Sequence, residues 1–274
     1  MGKLDTQSRT VAKRDKFLTT KFLTIRRKVV SGLVWLKHKL LGRYHPLNPD
    51  GAAPPKVSYS QAGEDCIVSL ALYLLGIPKP SYLDIGAYHP TSLSNTYFFY
   101  RRGCRGVCVE PDPKYARLFR RKRRRDIFLN VGVSVDQETD AEFYFMNSRA
   151  LNTLSRESAL AMEKVGEKIK RVVKIRLRDV NDIIQEHFPI QEHFPTGPNF
   201  VSLDAEGVDI DILKAFNFDK FRPQVFCVET IAFDTQEKTN DVSDFLQTQG
   251  YMVFGETRIN TIYVDQQAWG RRRL

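Results

Sequence analysis

The chain has 274 residues, 42% hydrophobic and 27% charged, proportions ordinary for a soluble globular protein. That length suffices for one large α/β domain with an extension, or for two small domains, and no apolar run reaches the roughly 18–20 residues needed to span a bilayer. The net charge of +10 is confined to one end: residues 1–60 carry 13 Lys/Arg against 3 Asp/Glu, whereas residues 61–274 carry 29 of each.

Residues 1–16 are polar and basic. Residues 17–41 predict a helix, because Leu18, Phe22, Ile25, Val29, Leu33, Leu36 and Leu40 recur at spacings of three or four. Lys21, Arg26, Arg27, Lys28, Lys37 and Lys39 line much of the remainder. Such a helix suits an anionic membrane surface. Packing on the protein's own body or on a second subunit explains the stripe equally well. Nucleic acid is a weaker third reading, since basic charge alone says little. Residues 42–57 hold Gly42, Pro46, Pro49, Gly51, Pro54 and Pro55 and read as a linker. The chain therefore divides into an extension, 1–57, and a body, 58–274. The basic start has no signal-peptide core or small-residue cleavage site, so a cytoplasmic location is expected.

Within the body, residues 64–75 predict a helix ended by Gly76 and Pro78. Strands follow at Tyr82–Ala87 and Gly106–Glu110, a helix at Lys114–Arg125 and a strand at Ile127–Val133. The basic run from Arg117 to Arg125 reads as a solvated helix face and its end; a site for an acidic glycan or lipid phosphate is the alternative. Glu142–Met146 and Val172–Leu177 are strand-like, and Val180–Glu186 is a short helix. Ile184–Pro189 and Ile190–Pro195 repeat the same six residues, Ile-Gln-Glu-His-Phe-Pro. A tandem duplication in a surface loop accounts for this, so His187 and His193 are not read as metal ligands. Strands at Phe200–Leu203, Val225–Val228, Tyr251–Phe254 and Thr261–Val264 alternate with helices at Asp209–Phe216 and Val242–Gln249. The order implies a mainly parallel sheet covered on both faces, with the last two strands paired as a hairpin. Cys66, Cys104, Cys108 and Cys227 form no Cys-x-x-Cys pair and read as buried reduced thiols in a reducing compartment.

The most informative stretch is Tyr82–Ala87 followed by Gly106–Glu110. The two read as the opening strands of a nucleotide-binding βαβ unit. Gly86 permits a tight turn, and Glu110 stands where such folds place a carboxylate for ribose hydroxyls. Asp204 and Glu206 share one side of a strand end by their i, i+2 spacing, and Gly207 then permits a turn. Crowded carboxylates raise one another's pKa and yield a base, or they share a hard cation such as Mg²⁺, a use this reading does not favour. Glu229 ends a neighbouring strand and is the third candidate. Helix capping is the structural alternative for each.

Five motifs stand in order: Ser60-Gln61-Ala62-Gly63-Glu64-Asp65, Asp84-Ile85-Gly86-Ala87-Tyr88-His89-Pro90, Ser94-Asn95-Thr96, Val109-Glu110-Pro111 and Ser202-Leu203-Asp204-Ala205-Glu206-Gly207. Together they resemble the FkbM family of S-adenosylmethionine-dependent methyltransferases from about Tyr59 to Val264. The resemblance implies the Rossmann-like class I methyltransferase fold, a seven-stranded mainly parallel sheet with a C-terminal antiparallel hairpin. It implies O-methylation, often of sugar or polyketide hydroxyls. It also gives Asp84 the task of orienting the Gly86–Ala87 loop and the methionine part of the cofactor. Asn95 and Thr96 are small polar groups suited to holding cofactor or to capping a helix, and Asn130 is placed to meet the adenine edge. His89 is a candidate base or substrate donor, or a structural loop histidine. Gln61, Glu64 and Asp65 are expected over the pocket mouth.

The expected catalytic set is therefore Asp204, Glu206, Glu229 and His89. The expected cofactor set is Asp84, Gly86, Ala87, Asn95, Thr96, Glu110 and Asn130, with S-adenosylmethionine as cofactor. A glycan or glycolipid precursor is the expected acceptor, with residues 17–41 at an anionic membrane. Two rivals remain: an NAD(P)-dependent dehydrogenase, which wants a richer glycine loop than Gly86–Pro90, and a non-catalytic membrane-surface or glycan-binding module.

Overall fold

The computed structural model of the chain describes residues 57–136, 138–188, 197–232 and 237–272. The helix expected at 17–41 and the linker up to residue 56 lie outside the described residues. Ser58–Leu274 form one compact unit.

Seven strands make the main sheet: β1 (Tyr82–Ile85), β2 (Gly106–Val109), β3 (Ile127–Leu129), β7 (Phe200–Leu203), β8 (Val225–Glu229), β9 (Tyr251–Glu256) and β10 (Asn260–Asp265). Their order is β3-β2-β1-β7-β8-β10-β9. β10 is antiparallel to both neighbours, and the other pairings are parallel. This is the class I methyltransferase arrangement, closed at one edge by the expected hairpin.

The central strands are short apolar runs because both their faces are covered. On one face Leu83, Ile85, Val201 and Leu203 pack with residues of α5 (Val180–His187), α6 (Asp209–Ala215) and α7 (Asp241–Thr248). On the other, Tyr82, Cys108, Phe200 and Cys227 pack with α1 (Glu64–Leu74), α2 (Tyr97–Arg101) and α3 (Ala116–Lys122).

A second sheet, in the order β4-β6-β5, comprises β4 (Gly132–Ser134), β5 (Asp140–Met146) and β6 (Ile169–Asp179). The single strand expected over Ile127–Val133 is thus two strands in two sheets. Asn130 breaks it: its Nδ2 donates to the Glu110 carbonyl (2.8 Å) and the Pro111 carbonyl (2.9 Å), which turns the chain away from β2. Between β5 and β6 lie a 3-10 turn, Arg149–Leu151, and α4 (Arg156–Lys164), both unforeseen; a final helix, α8 (Gln266–Arg271), closes the described chain.

Two further expectations are corrected. The first copy of the six-residue repeat is not a surface insertion: Ile184 lies within α5, and both Ile184 and Phe188 are buried in the core. The second copy, 190–195, lies outside the described residues. Arg123, read as part of a solvated basic face, is 1% exposed. Its guanidinium donates to Asp126 (2.6 Å), Tyr82 Oη (3.2 Å) and Thr96 Oγ1 (3.0 Å), so a buried cation is matched by a buried anion and neutral acceptors. Cys104, Cys108 and Cys227 are buried and Cys66 is half-buried, and none of the four is in a disulfide. Among the described residues no helix is long and apolar enough to cross a membrane.

Candidate active site

A cavity of about 620 Å³ opens at the C-terminal ends of the central strands, where open α/β sheets bind ligands. Gly86, Glu110, Asp204, Glu206 and Glu229 all line it. β1, β2, β7 and β8 each deliver one of these residues, or a pair, as the strand gives way to a loop.

The turn after β1 explains Gly86. Its φ is +75°, and a Cβ there would lie 1.7 Å from the Asp204 carbonyl oxygen. Only glycine lets the ends of β1 and β7 approach so closely. The Gly86 and Ala87 amides both donate to the Val109 carbonyl at 3.0 Å. The next amide, Tyr88 N–H, donates to Glu110 Oε2 at 2.8 Å, and the Asp112 amide donates to Oε1 at 2.6 Å. Burial pushes the Glu110 carboxyl up to about 7 against the pull of those two amides. Each carboxylate oxygen still has acceptor capacity beyond its one bond. The loop amides, by contrast, are spent within the protein, so a pyrophosphate would find no free amide cradle there.

On the opposite rim, the closest carboxylate oxygens of Asp204, Glu206 and Glu229 lie within 4.8 Å of one another. All three are partly buried and line the cavity. Burial is the largest cause raising the pKa of each; repulsion comes next, from Asp209 at Asp204, from Asp204 and Asp209 at Glu206, and from Asp204 and Glu206 at Glu229. Glu229 is pushed up to about 11 and hydrogen-bonds Asp204, which is pushed up to about 7. The group therefore holds at least one proton near neutrality and offers a carboxylate able to take another. The spacing is also small enough for a cation to bridge. Glu206 sits at φ +52°, the left-handed region that non-glycine residues rarely adopt. The buried Asp209 carboxylate braces this turn by accepting from the Ala205 amide (2.8 Å) and the Gly207 amide (3.3 Å).

Most of the other named residues sit away from the cavity. Asp84 faces the opposite side of β1; it is buried, accepts from Thr96 Oγ1 and is raised in pKa by burial. Asn95 Nδ2 donates to Ser202 Oγ at 3.1 Å. Asn130 lines a smaller hollow of about 300 Å³ beyond Pro111. His89 accepts the Ser92 amide (3.1 Å) and the Thr91 amide (3.3 Å) at Nδ1, and lies outside the main cavity lining. Gln61 lines the cavity, whereas Glu64 and Asp65 are fully buried. Asp65 accepts from Ser58, Tyr59 and Ser60, and Glu64 from Ala62, Thr257 and Asn260.

A large part of the cavity wall comes from residues 149–162, which sequence patterning left blank. Arg149 pairs with the Asp112 carboxylate, and Asn152, Ser158 and Met162 line the space. The one usable signal was Ser155, whose side chain accepts the Ser158 amide at 3.1 Å as the N-cap of α4.

Comparison with solved structures gives loose likenesses. A 1,6-didemethyltoxoflavin-N1-methyltransferase from Burkholderia thailandensis is 11% identical, with 74% of this chain and 78% of that one covered and a TM-score of 0.38. A precorrin-6y C5,15-methyltransferase from Geobacter metallireducens is 13% identical, with 81% and 98% covered and a TM-score of 0.38. A methyltransferase from Geobacter sulfurreducens is 9% identical, with 76% and 80% covered and a TM-score of 0.37. No curated protein matches the chain. Residues 84–253 match the methyltransferase FkbM domain, and that match takes in the β1 turn, Glu110 and all three clustered carboxylates. The chain belongs to the FkbM methyltransferase family and is an S-adenosylmethionine-dependent methyltransferase.

Proposed function

We propose that the protein O-methylates a sugar hydroxyl on a glycan or glycolipid precursor, with Asp204 as the base that takes the hydroxyl proton. The observation that carries this reading is the carboxylate group at the cavity rim, three acids within 4.8 Å that together hold a proton and still present an acceptor for one. A hydroxyl is a poor nucleophile, so a positioned base is what its methylation requires. S-adenosylmethionine supplies the electrophilic methyl on a sulfonium. Glu110 binds its ribose hydroxyls, and the carboxylate already oriented by two amides needs no rearrangement to accept them. Gly86 keeps the β1 turn low enough for close approach, and Asp84, Ala87, Asn95, Thr96 and Asn130 hold the surrounding loops in place. Glu206 and Glu229 tune the base. His89 is assigned the outer loop rather than the proton transfer, because its Nδ1 is already committed. Mg²⁺ at the same carboxylates is the less favoured use of the site.

The body, 58–274, is the catalytic domain in this reading. The extension, 1–57, holds it at the anionic face of a membrane on the cytoplasmic side through residues 17–41. A dehydrogenase is disfavoured because the loop amides that a dinucleotide pyrophosphate needs are used internally. A non-catalytic module is tested by turnover itself.

Incubation with methyl-labelled S-adenosylmethionine and separated glycan and lipid extracts tests the acceptor class. Label is expected in the sugar hydroxyls of one glycan or glycolipid fraction; label on nitrogen, or on an acceptor without sugar, would overturn it. Vesicles containing anionic lipid should sediment the full chain at low salt. Recovery of all the protein in the supernatant refutes the membrane assignment. Glu110→Ala is expected to weaken S-adenosylmethionine binding about 10–100-fold in calorimetry, the worth of a charged hydrogen bond, with the fold retained.

A further inference from the structure

The turn that carries Glu206 is held from outside the main sheet by one side chain. Thr153 is 1% exposed. Its backbone is fixed by two bonds with Tyr144, donating to the Tyr144 carbonyl at 3.2 Å and accepting the Tyr144 amide at 2.9 Å. Its Oγ1 donates to the Glu206 carbonyl at 2.6 Å and accepts the Ser155 amide at 2.9 Å. The hydroxyl proton is thus committed to the one residue in the carboxylate group whose backbone is left-handed. The neighbouring turn residues are already braced by Asp209, which leaves the Glu206 carbonyl as the remaining handle. The contact is tight on this side: a Cβ at Gly207 would lie 2.1 Å from Ser158 Oγ. The same segment reaches the cofactor side, where Arg149 pairs with Asp112, whose amide donates to Glu110.

We propose that Thr153 is a positioning residue: its hydroxyl locks the Glu206 backbone in the turn that brings the Glu206 carboxylate to Asp204 and Glu229. The inference rests on reading those carboxylates as the acceptor-side base. A valine at 153 keeps the shape and removes the donor, whereas a serine keeps the donor and loses a methyl. In the latched protein Glu206 is raised first by burial and then by Asp204 and Asp209; a Glu206 turn freed of the Thr153 bond would let the carboxylate reach solvent and titrate nearer an ordinary glutamate.

The test follows side-chain carboxyl ¹³C signals through a pH titration of the labelled full-length chain. Thr153→Val is expected to lower the Glu206 midpoint by about one unit or more. Thr153→Ser should keep the wild-type midpoint, and both variants should bind S-adenosylhomocysteine within about twofold of wild type by calorimetry. If Thr153→Val does not fold, Thr153→Ala serves for the same comparison. An unchanged midpoint on loss of the hydroxyl, or a serine variant as altered as the valine, overturns the proposal. A lowered midpoint with methyl transfer undiminished supports the latch and removes the catalytic role of the cluster, so the two failures are distinguishable.

Discussion

Asp204→Asn is expected to slow methyl transfer by about 10²–10⁴-fold, the range associated with loss of a positioned general base. Asparagine keeps the size and one acceptor oxygen but cannot take a proton. S-adenosylmethionine affinity should be retained, because the Glu110 side of the cavity is untouched. The pH dependence sharpens the test. The wild-type Asp204 carboxyl is pushed up to about 7, chiefly by burial and then by Asp209. A raised pKa means that the base is ionised only above that value, so wild-type turnover should fall as pH drops through about 7 and level off above it. Glu229, raised further, keeps its proton across the same range. In the asparagine variant the acidic limb disappears along with the rate. Initial rates with labelled donor across pH 5–9 measure both. Full activity in the variant, or an acidic limb that survives it at saturating donor, where the like-titrating Glu110 no longer limits binding, would falsify the assignment of Asp204.

Gly86→Ala is expected to have the largest effect on stability. The φ of +75° alone costs a non-glycine residue about 1–2 kcal/mol. The new Cβ would also lie 1.7 Å from the Asp204 carbonyl oxygen and 2.8 Å from its carbon. Both atoms are backbone, and the Asp204 amide is tied to the Ile85 carbonyl at 3.1 Å, so neither can swing aside as a side chain would. Relief requires parting β1 from β7 at the centre of the sheet. The total should exceed about 4 kcal/mol, a large fraction of the 5–15 kcal/mol typical of a domain. Chemical denaturation measures it. Any variant that remains folded should also have lost methyl transfer, because the same shift displaces Asp204. A loss under about 1 kcal/mol would show that the sheet yields more easily than its hydrogen bonding indicates.

Much of this was legible in the chain because the central strands are buried on both faces. Phe200–Leu203 was read to the residue, and Tyr82, Gly106 and Val225 marked the starts of their strands, since an apolar run with no alternation has few other uses. Asp204 and Glu206 do meet, but not by the strand spacing expected of them: β7 ends at Leu203, and the left-handed turn at Glu206 brings the two carboxylates together, whereas Glu229 does stand at a strand end. What stayed hidden depends on partners distant in sequence. Arg123 stands among seven basic residues, and nothing local separates it from Arg121 or Arg125; its burial is decided by Asp126 and by Tyr82, 41 residues away. Thr153 looks like any loop threonine until Glu206, 53 residues on, is placed against it. Helix α4 carries too little apolar periodicity to declare itself. β6 was read too short, because its solvent-facing basic residues mask the run that pairs with β5.

The wall facing the carboxylates belongs to a separate three-stranded sheet, whose strands share no ladder with the seven of the main one. Substitutions at the ends of β1, β2 and β7 strike at the reaction itself. Apart from Thr153, Ser158 and Arg149, which hold the Glu206 turn and Asp112, side chains of this wall border the cavity without touching the seven-stranded frame, so exchanging them would reshape the space offered to an acceptor and leave the reacting groups in place.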